Sequence, residues 1–83
     1  MVESDVQNVI DSMEELKDTQ VPSNVQDLLD NAIEALEDED EELSVRVNTA
    51  TSYLDEISND PNIAQHTRTE VWNIASMLES VEN

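Results

Sequence analysis

The chain has no cysteine, no glycine and no phenylalanine, and only three basic residues. Without cysteine, neither a disulfide framework nor a thiolate zinc site can brace the fold. Without glycine, primed hairpin turns, phosphate-cradling loops and dinucleotide fingerprints lack the residue that accepts positive φ or close backbone approach, so those chemistries are excluded as motifs. No uninterrupted apolar run exceeds two residues, whereas a membrane-spanning helix needs about 20 apolar positions. No secretory leader pattern precedes the first helix signal. These absences lead us to expect a soluble, cytoplasmic chain.

What is there is carboxylate. Against three Lys and Arg stand 21 Asp and Glu, a net charge of −18 on 83 residues. That length suits one domain over residues 1–83, near the lower end of what a single core stabilises without staples. Self-repulsion on this scale opposes compactness, and low hydrophobicity with high charge is also the composition of disorder. Periodicity decides between the two.

Val6, Val9, Ile10, Met13 and Leu16 recur at three and four, preceded by "SDVQ" (Ser4–Gln7), which has capping-box spacing. After Pro22, tolerated in a first turn but not in a helix interior, come Val25, Leu28, Leu29, Ala32, Ile33 and Leu36. Leu43, Val47, Ala50, Leu54 and Ile57 keep one seam facing a partner helix. "NDPN" (Asn59–Asn62) then breaks the helix, with Asn59 or Asp60 expected as a left-handed cap and Pro61 as the stop. Thr67, Val71, Ile74, Leu78 and Val81 form the fourth stripe. Short connections between such helices predict an all-α, antiparallel up-and-down four-helix bundle. The two hairpins also read as copies of each other. "MEEL" aligns with "LDEI", "VPSNVQ" with "IAQHTR", and Leu36 with Leu78, although any two amphipathic hairpins share apolar positions.

"LSVRVNTATSYLDEISNDPNIAQHTRTEVWNIASMLE" (Leu43–Glu79) resembles the C-terminal half of a small archaeal uncharacterised protein family of four-helix proteins, and "VPSNVQ" (Val21–Gln26) resembles its N-terminal counterpart. "LDEISNDPN" and the His66, Arg68, Thr69, Trp72 spacing are the specific elements. Ala64, where the resemblance leads us to expect proline, and the depletion of Lys and Arg are the departures. The resemblance implies a four-helix bundle in the archaeal cytoplasm, here of a haloarchaeal member, with no assigned activity or catalytic residues.

The acidity has three competing readings. At molar salt the Debye length falls to about 3 Å, so dispersed carboxylates stop repelling and keep a halophilic protein hydrated. A nucleic-acid mimic would instead gather carboxylates on one face to capture a basic protein, and only "EDEDEE" (Glu37–Glu42) approaches that. A calcium site is the third, but the run lacks the alternating ligands and turn glycine of an EF-hand loop. Acids spread over all four helical segments favour the halophilic reading.

No catalytic constellation stands out. His66 has neither an activated nucleophile nor co-ligands in recognisable spacing, and neighbouring acids such as Glu14 and Glu15 point in different directions on a helix. No catalytic, cofactor or metal-ligating residue is therefore assigned. Three cations cannot make a phosphate-binding patch, and there is no basic amphipathic helix for a membrane surface. What remains is a non-enzymatic, cytoplasmic protein-interaction or scaffold module. Its candidate partner surface is Arg46, Tyr53, His66, Arg68 and Trp72, all on the second hairpin, because Arg and aromatic side chains are enriched at interfaces. Its partner is an unidentified protein, with ribosome association through a protein surface open at high salt. The acidic mimic is the alternative, and an unrecognised hydrolase the third.

Overall fold

Each of the four apolar stripes becomes one helix. The computed structural model describes residues 2–81, with side chains from Ser4 to Val81. It contains α1 (Val2–Lys17), α2 (Ser23–Glu37), α3 (Leu43–Ser58) and α4 (Gln65–Val81). α2 packs most extensively on α3, and α3 on α4, α4 on α1 and α1 on α2 complete a ring in which diagonally opposed helices do not meet. Successive helices run antiparallel: Asn24 at the start of α2 reaches Asp60 just past the end of α3, Nδ2 to Oδ2 at 2.7 Å. The body measures 33 × 20 × 19 Å, one helix long and two helices across. Its radius of gyration of 11.8 Å is that of a compact chain of this length, about 12 Å.

The stripe positions are the core. All are buried except Leu28 and Leu43, which are half-buried against it. At about 1.5–3 kcal/mol for each fully buried large aliphatic side chain, this cluster opposes the conformational entropy lost in ordering the helices. One core residue lies outside the stripes: Ile63, in the α3–α4 connection, is only 7% exposed.

Two expected helix ends differ from what the structure shows. α1 already includes Val2, so Ser4 sits inside the helix with an exposed side chain and "SDVQ" is not a capping box. No proline or glycine precedes Ser4 to stop the helix there, and Gln7 Nε2 donates along the helix to Asp11 Oδ1 at 2.9 Å instead. The left-handed cap at Asn59 or Asp60 is also absent. Asn59 has φ −89° and ψ −3°, and no described residue has positive φ.

The carbonyls that a left-handed cap would satisfy find other donors. Thr19 Oγ1 donates to the Leu16 carbonyl at 2.6 Å at the end of α1. Arg46 Nε donates to the Leu36 carbonyl at 2.9 Å at the end of α2, joined by Nη2 on the same oxygen. Arg68 donates from Nε to the Ser58 carbonyl and from Nη2 to the Asp60 carbonyl, both at 3.0 Å, past the end of α3. A cation at a helix C-terminus also opposes the partial negative charge there. In a chain without glycine, these side chains join the backbone N–H groups of Asp18, Thr19, Asp38, Asn59 and Asp60 in closing the first three helices.

Candidate interaction surface

The capping role decides where the five distinctive side chains of the second hairpin lie. Arg46 is 7% exposed: its stem runs along apolar surface and its guanidinium is held over the end of α2. Arg68 is half-buried, and its Nη1 also donates to Gln65 Oε1 at 3.2 Å. Both cations are thus engaged with main-chain oxygen. The third, Lys17, donates Nζ to Asp30 Oδ1 at 2.7 Å, and that hydrogen bond, with the carboxylate's charge, raises its pKa above the ordinary lysine value.

Tyr53, on the α2 side of α3, is half-buried and packs against the core. With Arg46 it lines a cavity of about 400 Å³ that also presents Glu34, Asp38 and Glu41. His66 is exposed on the other side of the molecule, where a cavity of about 310 Å³ lies between α1 and α4. Trp72 follows Arg68 by one helical turn, on the flank of α4 from which Arg68 reaches α3, and is 53% exposed. The five residues therefore occupy three different flanks of the bundle. Arg46 and Tyr53 are brought together; Arg68 and Trp72 share a second flank; His66 stands apart.

The carboxylates complete the surface. Every described one is exposed except Asp60, which is half-buried. Asp60 has its pKa pulled below the ordinary carboxylate value, first by the Asn62 backbone N–H at 2.8 Å, then by Asn24 Nδ2 at 2.7 Å, with the charge of Arg68 adding to both. It ties the α3–α4 connection to the start of α2. The "EDEDEE" run ends α2 at Glu37 and continues through the exposed connection to Glu42, whose carbonyl accepts the Arg46 backbone N–H at 3.0 Å at the start of α3. Among the described residues, no group of three or more His, Asp or Glu side chains is placed to hold a metal ion, and no helix is long and apolar enough to cross a membrane.

Ile63 and the burial of Arg46 are the features that sequence reasoning missed. Ile63 stands in a connection, outside any periodic stripe. Arg46 immediately precedes the core residue Val47 and so borders the seam, a position at which a long amphipathic stem can be covered.

Fold and surface together define a small all-α bundle whose chemistry is on its outside: exposed carboxylates and one exposed indole. The chain belongs to the uncharacterised protein family UPF0147, whose model matches residues 1–81. It is 51% identical over 67 residues to a UPF0147 protein of Methanocaldococcus jannaschii, covering 81% of this chain and 72% of that one. Over 83 residues it is 37% identical to a UPF0147 protein of Pyrococcus furiosus, covering 98% and 89%. Among solved structures it resembles a UPF0147 protein of Thermoplasma acidophilum at 38% identity, with a TM-score of 0.87 and 96% of each chain covered. It also resembles a crystal structure of a protein of unknown function at 48% identity, with a TM-score of 0.88 and 95% and 91% covered. The small archaeal family and the four-helix fold expected from the sequence are those of these relatives.

Proposed function

We propose that this protein is a non-enzymatic, cytoplasmic interaction module whose halophile-type acidic surface docks a basic protein. The observation that carries this reading is the engagement of all three cations. Arg46 and Arg68 donate to main-chain carbonyls and Lys17 pairs with Asp30, so the exterior presents carboxylate, and Trp72 is exposed on it. An exposed indole on a hydrophilic surface suits an interface anchor, because an aromatic side chain contributes large contact area at small entropic cost. Complementary charge would speed encounter and select the partner.

Affinity purification of the tagged protein from native cells at molar KCl, followed by mass spectrometry, tests it. A reproducible stoichiometric partner with a basic surface, ribosomal proteins included, is the expected result. Recovery of no partner, alongside turnover in a broad hydrolase screen, would overturn the reading in favour of an enzyme. Competition of the partner by double-stranded DNA would favour the nucleic-acid mimic.

A further inference from the structure

The seam between α1 and α4 carries two cavities that adjoin at one residue. Cavities of about 310 and 240 Å³ lie on it and share Met77. On the α1 side they are lined by Asp5, Val9, Ser12, Leu16 and, just past the end of the helix, Thr19, which step four, three, four and three. On α4 they are lined by His66, Glu70, Asn73, Met77 and Ser80, which step in the same way. Such spacing is one face of a helix, and the stretch from His66 to Ser80 on α4 is about 21 Å long. A partner helix of about 14 residues matches that length.

The floor of the groove is apolar, made of Val9, Leu16 and Ile74 from the core and half-buried Met77. Across the seam Ser12 Oγ donates to Met77 Sδ at 4.0 Å, a weak bond to a thioether. The rim is acidic and exposed: Asp5 and Glu15 on α1, Glu70 on α4. No Lys or Arg lines either cavity.

We infer that this groove is a docking site of the proposed interaction module, on the flank of α4 away from Trp72, and that its occupant is an amphipathic helix carrying Lys or Arg along both edges of an apolar stripe. The inference rests on the interaction reading above and adds to it a place and a partner chemistry. Apolar knobs meet half-buried Met77, which adapts to their shape above the covered Val9, Leu16 and Ile74, and the flanking cations meet the acidic rim. A second copy of this chain is a poor occupant, because its three Lys and Arg cannot place cations along both edges of an apolar stripe.

The probe is a labelled synthetic peptide of about 18 residues with leucine on one helical face and lysine along its edges, a length that covers the groove. Binding is read by fluorescence anisotropy at a fixed KCl concentration at which circular dichroism shows the bundle folded. Asn73→Arg and Thr49→Arg make the same change in charge at exposed positions in different seams. Asn73→Arg should weaken the peptide about tenfold or more, and Thr49→Arg less than about threefold. The same peptide with glutamate for lysine should not bind, and amide shifts on titrating the leucine–lysine peptide should cluster on α1 and α4. Equal weakening by both variants, no weakening by Asn73→Arg, or shifts centred on another seam would overturn the inference. A wild-type dimer in sedimentation that Asn73→Arg abolishes would overturn it in favour of a second copy as occupant. A native partner recovered equally by wild type and Asn73→Arg removes the groove and leaves the interaction reading standing. A wild type that recovers nothing removes the interaction reading itself.

Discussion

Arg46 and Arg68 stand in the same place in successive helices: each is the fourth residue of its helix, and each donates Nε to a carbonyl ten residues earlier, Leu36 at 2.9 Å and Ser58 at 3.0 Å. Gln26 is the fourth residue of α2 and aligns with Arg68 in the repeat of "VPSNVQ" with "IAQHTR", but at that junction Thr19 closes the preceding helix. The later two connections are thus held by the helix that follows each of them.

Removing these caps separates the two arginines. Arg46→Ala should cost about 2–3 kcal/mol, since a buried charge-assisted hydrogen bond is lost along with the packing of its stem. Arg68→Ala, half-exposed, should cost about 1–2 kcal/mol. Urea unfolding followed by circular dichroism in molar KCl measures both, and an Arg46→Ala variant no weaker than Arg68→Ala would refute the capping account. Arg68→Glu is consequently a fold variant before it is a surface variant.

Ile63→Ala should destabilise the bundle by about 2–4 kcal/mol, as for a large aliphatic residue removed from a core. Val45→Ala, at a site 42% exposed inside α3, should change stability by less than about 0.5 kcal/mol. Thermal midpoints of the two variants under one set of conditions decide it. The reverse order would mean that the α3–α4 connection is not anchored as described.

With the cations engaged, exposed carboxylates repel one another with little to offset them but salt. Dialysis from molar KCl to tens of millimolar should therefore lower the thermal midpoint and loosen the helices, as the Debye length grows from about 3 to beyond 10 Å. Unchanged helicity and midpoint across that range would remove salt from the account of stability. Neutralising acids over the whole surface should lower the salt requirement cumulatively, and altering Glu37–Glu42 alone should lower it only modestly.

The Asp60 contacts carry a signed pH dependence. A carboxyl whose folded pKa is depressed contributes stability that is present above its unfolded pKa, near 3.8, and is lost as pH falls through the folded value. Comparison with Asp60→Asn isolates this from the general relief of repulsion in acid. The stability gap between wild type and Asp60→Asn should be constant near neutral pH and narrow below the ordinary carboxylate range. A gap independent of pH down to the acid unfolding limit would show that the ionised form is not what Asn62 and Asn24 hold.

Trp72 is the sole tryptophan, so its fluorescence reports its own surroundings. Emission should be that of a largely hydrated indole, and Trp72→Ser should cost about 2 kcal/mol, because about half of the side chain is already in water. A loss of several kcal/mol would place the indole in the core and end its candidacy as an interface anchor.

Helix number, helix type and almost the whole core were legible because they are local: a stripe such as Val71, Ile74 and Leu78 names one face at 3.6 residues per turn, wherever the helix packs. Pro22 and Pro61 marked two of the connections for the same reason, being incompatible with a helix interior. Composition alone placed the acids outside, since isolated carboxylates are not buried. The burial of Leu16, Ile57, Leu36 and Leu78 likewise follows from pattern.

Tertiary structure decided the rest, because it depends on which chain segment comes to lie beside which. Nothing in the spacing of Arg46 says that the end of α2 returns beside the fourth residue of α3, where an unsatisfied carbonyl outweighs solvent for a guanidinium. Ile63 is buried because the α3–α4 connection folds back over the core, a path set by Asp60 and Arg68 together. The groove on the α1–α4 seam exists only where the last helix closes on the first, and it puts His66 on a different flank from Arg46, Tyr53 and Trp72, its neighbours in the linear reading. Periodicity determines faces; the closing of the ring determines which faces meet.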